Sequence, residues 1–297
     1  MNRPKLVLAL LVIFSTNGVQ GADPDQIQLK IAHRSRTMQP GEVVLISATS
    51  NQPLKTLKGT IFEKTFLFYS DSKPTLWNGL IGIDLDIPAD LYQLKFHGVT
   101  LNGSPFDQKH NLQIIGKKFP TRRITVKKKY VDPPPKTLKR IRQESKKIKK
   151  IFTTINPEKI WQGPFIPPVS GTTTSGFGRR SIINGQIRSP HSGTDFRASK
   201  GTPVKAPNTG QVILVSNLYF SGNTVILDHG QGLYSYFAHL SRFSTKEGEK
   251  VKLGQIIGYV GATGRVTGPH LHWTVRLNQS RVDPLSLITV LSEQHLN

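Results

Sequence analysis

The chain has 297 residues, no cysteine and a formal net charge of +22, with 40 Lys and Arg against 18 Asp and Glu. The absence of cysteine excludes disulfide frameworks and thiolate metal ligands, so a metal ion would have to be held by His, Asp or Glu. The length favours two domains over one, and the charge predicts attraction to polyanions.

Residues 1–21 have the pattern of a secretory signal peptide. Arg3 and Lys5 precede an apolar run at residues 6–14, which polar and then small residues follow. The run is shorter than the roughly 20 residues that span a bilayer, and an uncleaved anchor is the alternative. We therefore expect an exported protein of the periplasm or cell envelope, where anionic polymers and lipid head groups, rather than nucleic acid, are the expected polyanions.

Residues 24–116 predict a small β-sandwich. Apolar and polar side chains alternate at residues 27–31, 81–87 and 92–96, and turn sequences such as Asn-Gly-Ser-Pro at 102–105 separate such runs. About ninety residues of this kind suit an immunoglobulin-like domain. Three histidines of this segment have no partner at metal-ligand spacing and are expected at surface or half-buried strand positions: His33, His97 and His110.

Residues 117–158 predict a basic linker that contains a helix. Its first part, residues 117–150, carries fifteen Lys and Arg against two acidic residues. A proline run at 133–135 separates an extended arm from a helix whose apolar residues recur every three or four positions from Leu138 to Phe152. Two interpretations stay open: the helix contacts an anionic polymer or a membrane surface, or its apolar face packs against a domain while its lysines face solvent.

Residues 159–291 predict a compact antiparallel β domain with hardly any helix. Two turn sequences, Pro-Asn-Thr-Gly at 207–210 and Gln-Gly at 231–232, predict hairpins. Strands are expected at 202–206, 211–216, 223–228, 234–240, 255–260 and 270–277. The whole chain is therefore predicted to be all-β, apart from the helix of the basic linker.

A cluster of polar residues in the second domain begins with His191 and Asp195. The two are four residues apart, but Pro190 before them and Gly193 between them argue against a helix. The pair is therefore expected on a strand or loop.

Three further histidines lie on predicted strands of the same domain. His270 and His272 are two apart in an alternating run, so they share one face of their strand, while Trp273 and its alternate neighbours face a core. His239 has the alternation of Phe237, near the end of its strand. These segments are predicted to deliver four imidazoles and one carboxylate to a single cleft.

Such a set of side chains suits a catalytic zinc site. Three ligands from His and Asp leave a fourth coordination position for water, as catalytic zinc sites require. Two imidazoles then remain to contact the water and the developing oxyanion, which is what amide hydrolysis needs.

Three sequence stretches resemble the signature motifs of the lysostaphin-type zinc metallopeptidases, which cut peptide cross-bridges in bacterial peptidoglycan. They are His-Ser-Gly-Thr-Asp at 191–195, Tyr-Phe-Ala-His-Leu at 236–240 and Gly-Pro-His-Leu-His at 268–272. The resemblance covers about residues 164–287. It implies a zinc-dependent endopeptidase that acts on peptidoglycan peptide stems.

Site roles follow from the same resemblance. It implies one Zn²⁺ per chain, held by His191, Asp195 and His272. His239 and His270 take the positions of the non-ligand catalytic residues: His270 would orient or deprotonate water, and His239 would donate a hydrogen bond to the oxyanion. Which of these two imidazoles holds the proton stays open, because coupled groups titrate as a unit.

Other functions are compatible with parts of the sequence. A catalytically silent relative could bind the cell wall or activate a separate amidase, but such relatives lack the zinc ligands that this chain keeps. Residues 248–258 resemble the hairpin of biotinyl and lipoyl carrier domains, without the lysine motif that takes the cofactor. A nucleic-acid or lipid binder could depend on residues 117–150.

Two residues beside the motifs have less distinctive contexts. His229, at the end of a predicted strand, is expected to have a structural role in a turn. Arg265, in the glycine-rich loop before the last motif, either meets a substrate carboxylate or is solvated.

Overall fold

The computed structural model describes residues 26–71, 73–125 and 133–292. The predicted signal peptide at 1–21 and residues 126–132 of the basic arm lie outside the described residues. The described part is mostly β-strand with two α-helices, which confirms the all-β prediction at the level of secondary structure. No helix in this part of the chain has the length and apolarity needed to cross a membrane.

Seven antiparallel strands form the front part of the molecule, in the order β1-β2-β5-β4-β3-β6-β7. Alternate side chains enter one core, which is why the period-two pattern predicted strands. The name immunoglobulin-like stays a prediction. The strands are β1 Leu29–Arg34, β2 Val43–Ser50, β3 Leu54–Ile61, β4 Lys64–Tyr69, β5 Leu76–Gly82, β6 Asp90–Thr100 and β7 Pro105–Ile114.

The first and last strands of this order approach each other. The Gln108 side chain on β7 accepts a hydrogen bond from the Leu29 N–H at 2.7 Å and donates one to the Leu29 carbonyl at 2.7 Å. Beside this contact the rings of His33 and His110 lie 6.1 Å apart. A side-chain amide therefore replaces the backbone ladder between β1 and β7.

Low pH should weaken the contact between β1 and β7. Burial lowers the pKa of His33, and burial together with the charge of His33 lowers the pKa of His110. Histidines with a lowered pKa bind fewer protons when folded, so their contribution to stability is lost as the pH falls below their ordinary value near 6.5. We expect the urea midpoint to fall less between pH 7.5 and pH 5.5 in the double variant His33→Gln/His110→Gln than in the wild type.

The matched control for this measurement is His97→Gln, which removes an exposed histidine of the same sheet that contacts Asp107 at 2.7 Å. An equal pH dependence of the urea midpoint in the double variant and the wild type would contradict the prediction.

A short strand and a helix follow the front sheet: β8 Thr121–Ile124 and α1 Pro135–Thr153. The helix begins at a proline, whose missing N–H costs nothing in the first turn. Its apolar residues Ile148, Ile151 and Phe152 pack on a small buried cluster of the second domain, while its lysines are exposed. The structure therefore shows the packing interpretation of the amphipathic pattern.

The rest of the chain forms a ten-stranded antiparallel sheet, a β-hairpin and a second helix. The six strands expected between residues 202 and 277 are all present. The sheet contains β9 Thr173–Ser175, β12 Thr194–Phe196, β13 Pro203–Lys205, β14 Gly210–Leu218, β15 Gly222–Gly230, β16 Leu233–Phe243, β17 Lys250–Val251, β18 Ile256–Val260, β19 Leu271–Leu277 and β20 Ser280–Val282; the hairpin is β10 Arg180–Ile183 with β11 Gln186–Arg188, and the helix is α2 Pro284–Val290.

One of the two predicted hairpins is wrong. The Gln-Gly turn at 231–232 joins the paired strands β15 and β16, as predicted. The turn at 207–210 instead joins β13 to β14, which do not pair, because β13 pairs with β18. Asn208 in this turn is fully buried, and its side chain bonds to the backbone of Gln162, Thr209 and Pro164. This turn therefore holds the segment at residues 162–164 in place and does not close a hairpin.

The front sheet packs directly on the second domain. Val43, Leu45 and Leu80 belong to the same buried cluster as the core of the ten-stranded sheet. Glu42, which is 2% exposed, accepts hydrogen bonds from Arg36 and from Ser286 of α2. Arg281 pairs with Asp84 across the same interface. The predicted domain limits at 24–116, 117–158 and 159–291 stay predictions.

The basic arm contacts the segment that precedes the loop of His191. Strand β8 pairs in parallel with β10, just before the loop that carries His191. Phe119, in front of β8, lies 6.4 Å from the ring of Phe177. Phe177 also lies against Gly41 of the front domain, so the arm, the front domain and the segment before His191 share contacts.

Candidate metal centre and active site

Neighbouring strands place two of the predicted metal ligands side by side. Asp195 on β12 is the register partner of His272 on β19. The loop before β12 brings in His191, whose N–H donates to the Arg179 carbonyl at 2.9 Å. The alternation on β19 is as expected, because Leu271, Trp273, Val275 and Leu277 are all buried in the opposite core.

Ligand atoms of these three residues converge. His272 Nδ1 lies 2.8 Å from Asp195 Oδ1, His191 Nε2 lies 3.1 Å from the same oxygen, and the two nitrogens are 3.0 Å apart. Among the described residues this is the cluster with the donor set for a metal ion, with all three ligand atoms within 4.8 Å of one another. Ligands of a tetrahedral site with bonds of about 2.0 Å lie about 3.3 Å apart, close to these distances.

Hydrogen bonds on the far side of each imidazole orient the ligand nitrogens. His191 Nδ1 lies 3.1 Å from the Gly176 carbonyl, which can only accept, so Nδ1 carries the hydrogen and Nε2 has the free lone pair. The Nδ1 atom of His272 points toward Asp195 and His191, and its Nε2 atom lies 2.9 Å from Thr274 Oγ1. Such outer contacts set the tautomer of metal-binding histidines. The donor set and its orientation therefore fit one zinc ion.

Charge at the centre is concentrated on Asp195. Burial would raise the pKa of this carboxyl group, but hydrogen bonds and positive charge from His191 and His272 outweigh it and hold the pKa well below its usual range. The carboxylate is therefore ionised at neutral pH and offers the negative charge that a divalent cation requires.

His239 and His270 flank the cluster without joining it. The His239 ring lies 5.0 Å from the ring of His270 and 6.0 Å from that of His272. His270 Nε2 is 3.8 Å from Asp195 Oδ1. The structure thus brings all five predicted site residues together, with three at ligand distance and two beside them.

The alternation assumed for His239 is wrong. Phe237 pairs with Trp273 and Ala238 with His272, so simple alternation would send His239 into the core with Phe237. The register against β15 shifts at this point, and His239 has a φ of +64°. This bulge turns the imidazole to the face that carries His272.

Both flanking imidazoles are held by backbone carbonyls. His239 Nδ1 lies 2.8 Å from the Thr263 carbonyl, and His270 Nδ1 lies 2.9 Å from the Gly268 carbonyl. Since a carbonyl only accepts, both rings carry hydrogen on Nδ1 and leave Nε2 as an acceptor when neutral. Burial, followed by the charges of His272 and His270, lowers the pKa of His239 to about 3.

Sequence reasoning missed the groups that orient these rings. Thr274 lies on the face of β19 that carries His272, as alternation requires, but its residue type does not indicate a role, and the carbonyls of Gly176, Thr263 and Gly268 leave no signal in residue type. His229 is fully buried, with Nδ1 2.8 Å from the Thr209 carbonyl, which agrees with a structural role. The Arg265 guanidinium lies 4.7 Å from the centre of the Phe220 ring, and its contact with a substrate carboxylate stays a prediction.

Gly193 permits the close approach of the His191 loop to β19. A Cβ atom at this position would lie 2.4 Å from the Trp273 carbonyl oxygen and 2.7 Å from Thr274 Oγ1. We expect Gly193→Ala to displace the loop and to weaken zinc binding by about 10–100-fold, the range seen when outer contacts of metal ligands are disturbed. A zinc titration against a competing chelator measures this loss.

Gly176→Ala is the control for this substitution, because a Cβ there would have no atom within 4 Å. Equal zinc affinities of the two variants would show that crowding at Gly193 does not position His191.

Comparisons with known proteins point to one family. Residues 189–284, which include all five site residues, match the model of peptidase family M23. A crystal structure from Pseudomonas aeruginosa assigned to peptidase M23 matches with a TM-score of 0.67 and 32% sequence identity, over 85% of this chain and 95% of that chain. The chain belongs to the lysostaphin-type M23 metallopeptidase family.

Other M23 relatives match a shorter segment. The DD-carboxypeptidase/endopeptidase Mpg of Neisseria meningitidis serogroup B is 44% identical over 97 residues, which are 33% of this chain and 22% of the relative. The peptidoglycan DD-endopeptidase ShyB of Vibrio cholerae is 40% identical over 114 residues, 38% of this chain and 26% of the relative. The M23 similarity to these proteins thus covers about a quarter of their length.

Proposed function

We propose that this chain is a zinc-dependent endopeptidase that hydrolyses peptide cross-links of bacterial peptidoglycan. The observation that carries the proposal is the convergence of a His-Asp-His ligand set with two further imidazoles that are oriented but not engaged as ligands. The substrate in this proposal is inferred from the relatives, because ShyB is a peptidoglycan DD-endopeptidase.

In this proposal His191, Asp195 and His272 hold the metal ion. A bound zinc ion would activate water as a nucleophile and polarise the peptide carbonyl. The Gly176 carbonyl fixes the ligand tautomer of His191, and the Thr274 hydroxyl can accept the Nε2 hydrogen of His272, which leaves Nδ1 free for the metal ion.

His239 and His270 bind the attacking water and move its proton. As neutral rings, both offer Nε2 as an acceptor, so each can orient a water molecule. His270 takes the proton in this proposal, because the lowered pKa of His239 disfavours its protonated form. A ring that has taken this proton becomes a donor and can stabilise negative charge on the carbonyl oxygen or protonate the leaving amine. The donor role predicted for His239 therefore requires proton uptake first.

The proposed location is outside the cytoplasm, in the periplasm or cell envelope. The signal-like sequence at 1–21 and the peptidoglycan substrate support it. The exposed lysines of α1 are proposed to contact an anionic envelope polymer or membrane surface, since the apolar face of the helix is already packed. Such contact would raise the local concentration of the substrate.

Isolated peptidoglycan sacculi provide the test. We expect the purified full-length chain to release fragments whose masses show cleaved peptide cross-links, and a chelator to stop the release until zinc is restored. A wall-binding regulator would release nothing alone and would stimulate an added amidase. That result would replace the proposed function with the alternative.

A further inference from the structure

A cavity of about 490 Å³ lies between helix α1 and the sheet face that carries the metal centre. Ile148 and Phe152 of the helix line one side, and Leu218 and Tyr236 of the sheet line the other. Most of its lining is apolar, which is typical of pockets that bind small molecules through a few polar groups.

Arg276 supplies a buried positive charge to this cavity. Its guanidinium lies 5.2 Å from the centre of the Phe152 ring, and its buried Nε has no hydrogen-bond partner among the described residues. Burial, followed by the charge of Arg281, lowers the pKa of Arg276 to about 10, so the group stays cationic at neutral pH. The cation is therefore costly to keep in this position unless a ligand pairs with it.

The nearby carboxylates already have partners. Asp84 pairs with Arg281. Glu144, in the cavity wall, accepts hydrogen bonds from Arg140 Nε at 2.6 Å and from the Tyr219 N–H at 2.9 Å. The protein thus provides positive charge and hydroxyl groups in the cavity without a free carboxylate from these two residues.

Direct contacts connect the cavity with the metal centre. Tyr236 donates its hydroxyl hydrogen to Ser221 Oγ at 2.5 Å. The backbone carbonyl of Ser221 accepts a hydrogen bond from the backbone N–H of His239 at 2.8 Å. On β19, Arg276 follows His272 by four residues, which is about 13 Å along a strand. Three or four residues of an extended peptide would span this distance.

We propose that this cavity is a subsite for a carboxylate group of the peptide substrate, bound by Arg276 three or four residues from the cleaved bond. The inference rests on the proposed function and adds the substrate chemistry that the enzyme selects. Arginine in a dry pocket pairs strongly with carboxylates through its planar donors. A terminal carboxylate and a side-chain carboxylate share this chemistry.

Binding of short peptides to the zinc-loaded full-length chain tests the subsite by calorimetry. The probes are N-acetyl-tetra-alanine as acid and as amide, and N-acetyl-Ala-Ala-Ala-Glu amide, which carries its carboxylate on a side chain. We expect at least one carboxylate probe to bind about tenfold more tightly than the amide, as charged hydrogen bonds allow. The stronger carboxylate probe identifies the source, and the absence of any preference overturns the proposal.

Arg276→Met should reduce the preference to less than twofold. The control is Arg242→Met, which removes a guanidinium 3.5 Å from the Tyr259 ring centre and should keep the preference. Persistence of the preference in Arg276→Met would place the carboxylate on the metal centre and overturn the proposal. Should this variant not fold, Arg276→Lys, which loses the planar donors, is expected to lower the preference at least threefold.

The two proposals fail separately. Sacculi that stay intact while the carboxylate preference depends on Arg276 would overturn the endopeptidase and leave the subsite. Cleavage of sacculi by a chain that shows no carboxylate preference would overturn the subsite and leave the endopeptidase.

Discussion

Asp195→Asn is expected to release the metal ion and to abolish cleavage of peptidoglycan. The Asp195 carboxylate lies between His191 and His272 and brings the negative charge of the ligand set. An amide is neutral and can turn its N–H donors toward the cation. Because disturbed outer contacts already weaken metal binding about 10–100-fold, the loss of this ligand should exceed about 100-fold. Zinc content after dialysis and fragment release from sacculi measure the two effects.

Asp107→Asn is the control, because it removes an exposed carboxylate that also contacts a histidine, His97, at 2.7 Å. It should leave zinc content and cleavage unchanged. Retention of one zinc ion per chain by Asp195→Asn would remove this residue from the proposed ligand set.

His239→Ala is expected to keep the zinc ion and to lower turnover by about 10²–10⁴-fold, the usual contribution of a positioned acid or base. The ring lies beside the ligands at a centroid distance of 6.0 Å from His272, and no residue that the structure describes forms a hydrogen bond with its Nε2. Removing it therefore leaves the ligand set intact and takes away a hydrogen-bond acceptor for the attacking water. Steady-state cleavage, together with metal analysis of the same sample, tests both parts.

His229→Gln is the control for His239→Ala, because it changes a buried histidine outside the metal centre. His229 is also a buried imidazole held through Nδ1 by a carbonyl, but it bonds to Ser235 at Nε2 and lies outside the cluster. This variant should unfold at a lower temperature while each folded molecule keeps its turnover. If His239→Ala lost its zinc ion, His239 would belong to the ligand shell.

Local sequence pattern predicted the parts of the site that regular strands position. The alternation around His272 placed that residue and Thr274 on one face, because every second side chain of a strand points the same way. The same rule failed at His239, where a bulge reverses the side chain. A bulge depends on partners from other strands, which residue types along β16 do not reveal.

The misassigned elements depended on contacts from distant segments. The Pro-Asn-Thr-Gly turn has the composition of a hairpin turn, but Asn208 is bonded to a segment more than forty residues earlier. Helix α2 was not predicted, although Asp283 caps it by accepting the Leu285 N–H. Its seven residues are too few for a periodic pattern, and packing against the front domain supports it.

Pairing of β8 with β10 means that the predicted limit between linker and peptidase domain does not coincide with a limit in the sheet structure. A recombinant fragment that starts at residue 159 would lack β8, which covers the edge of β10. It would also lack Phe119 and Gly41, which lie against the ring of Phe177. Exposed strand edges pair with other chains. Expression of a minimal catalytic fragment would therefore have to retain these preceding segments to avoid aggregation.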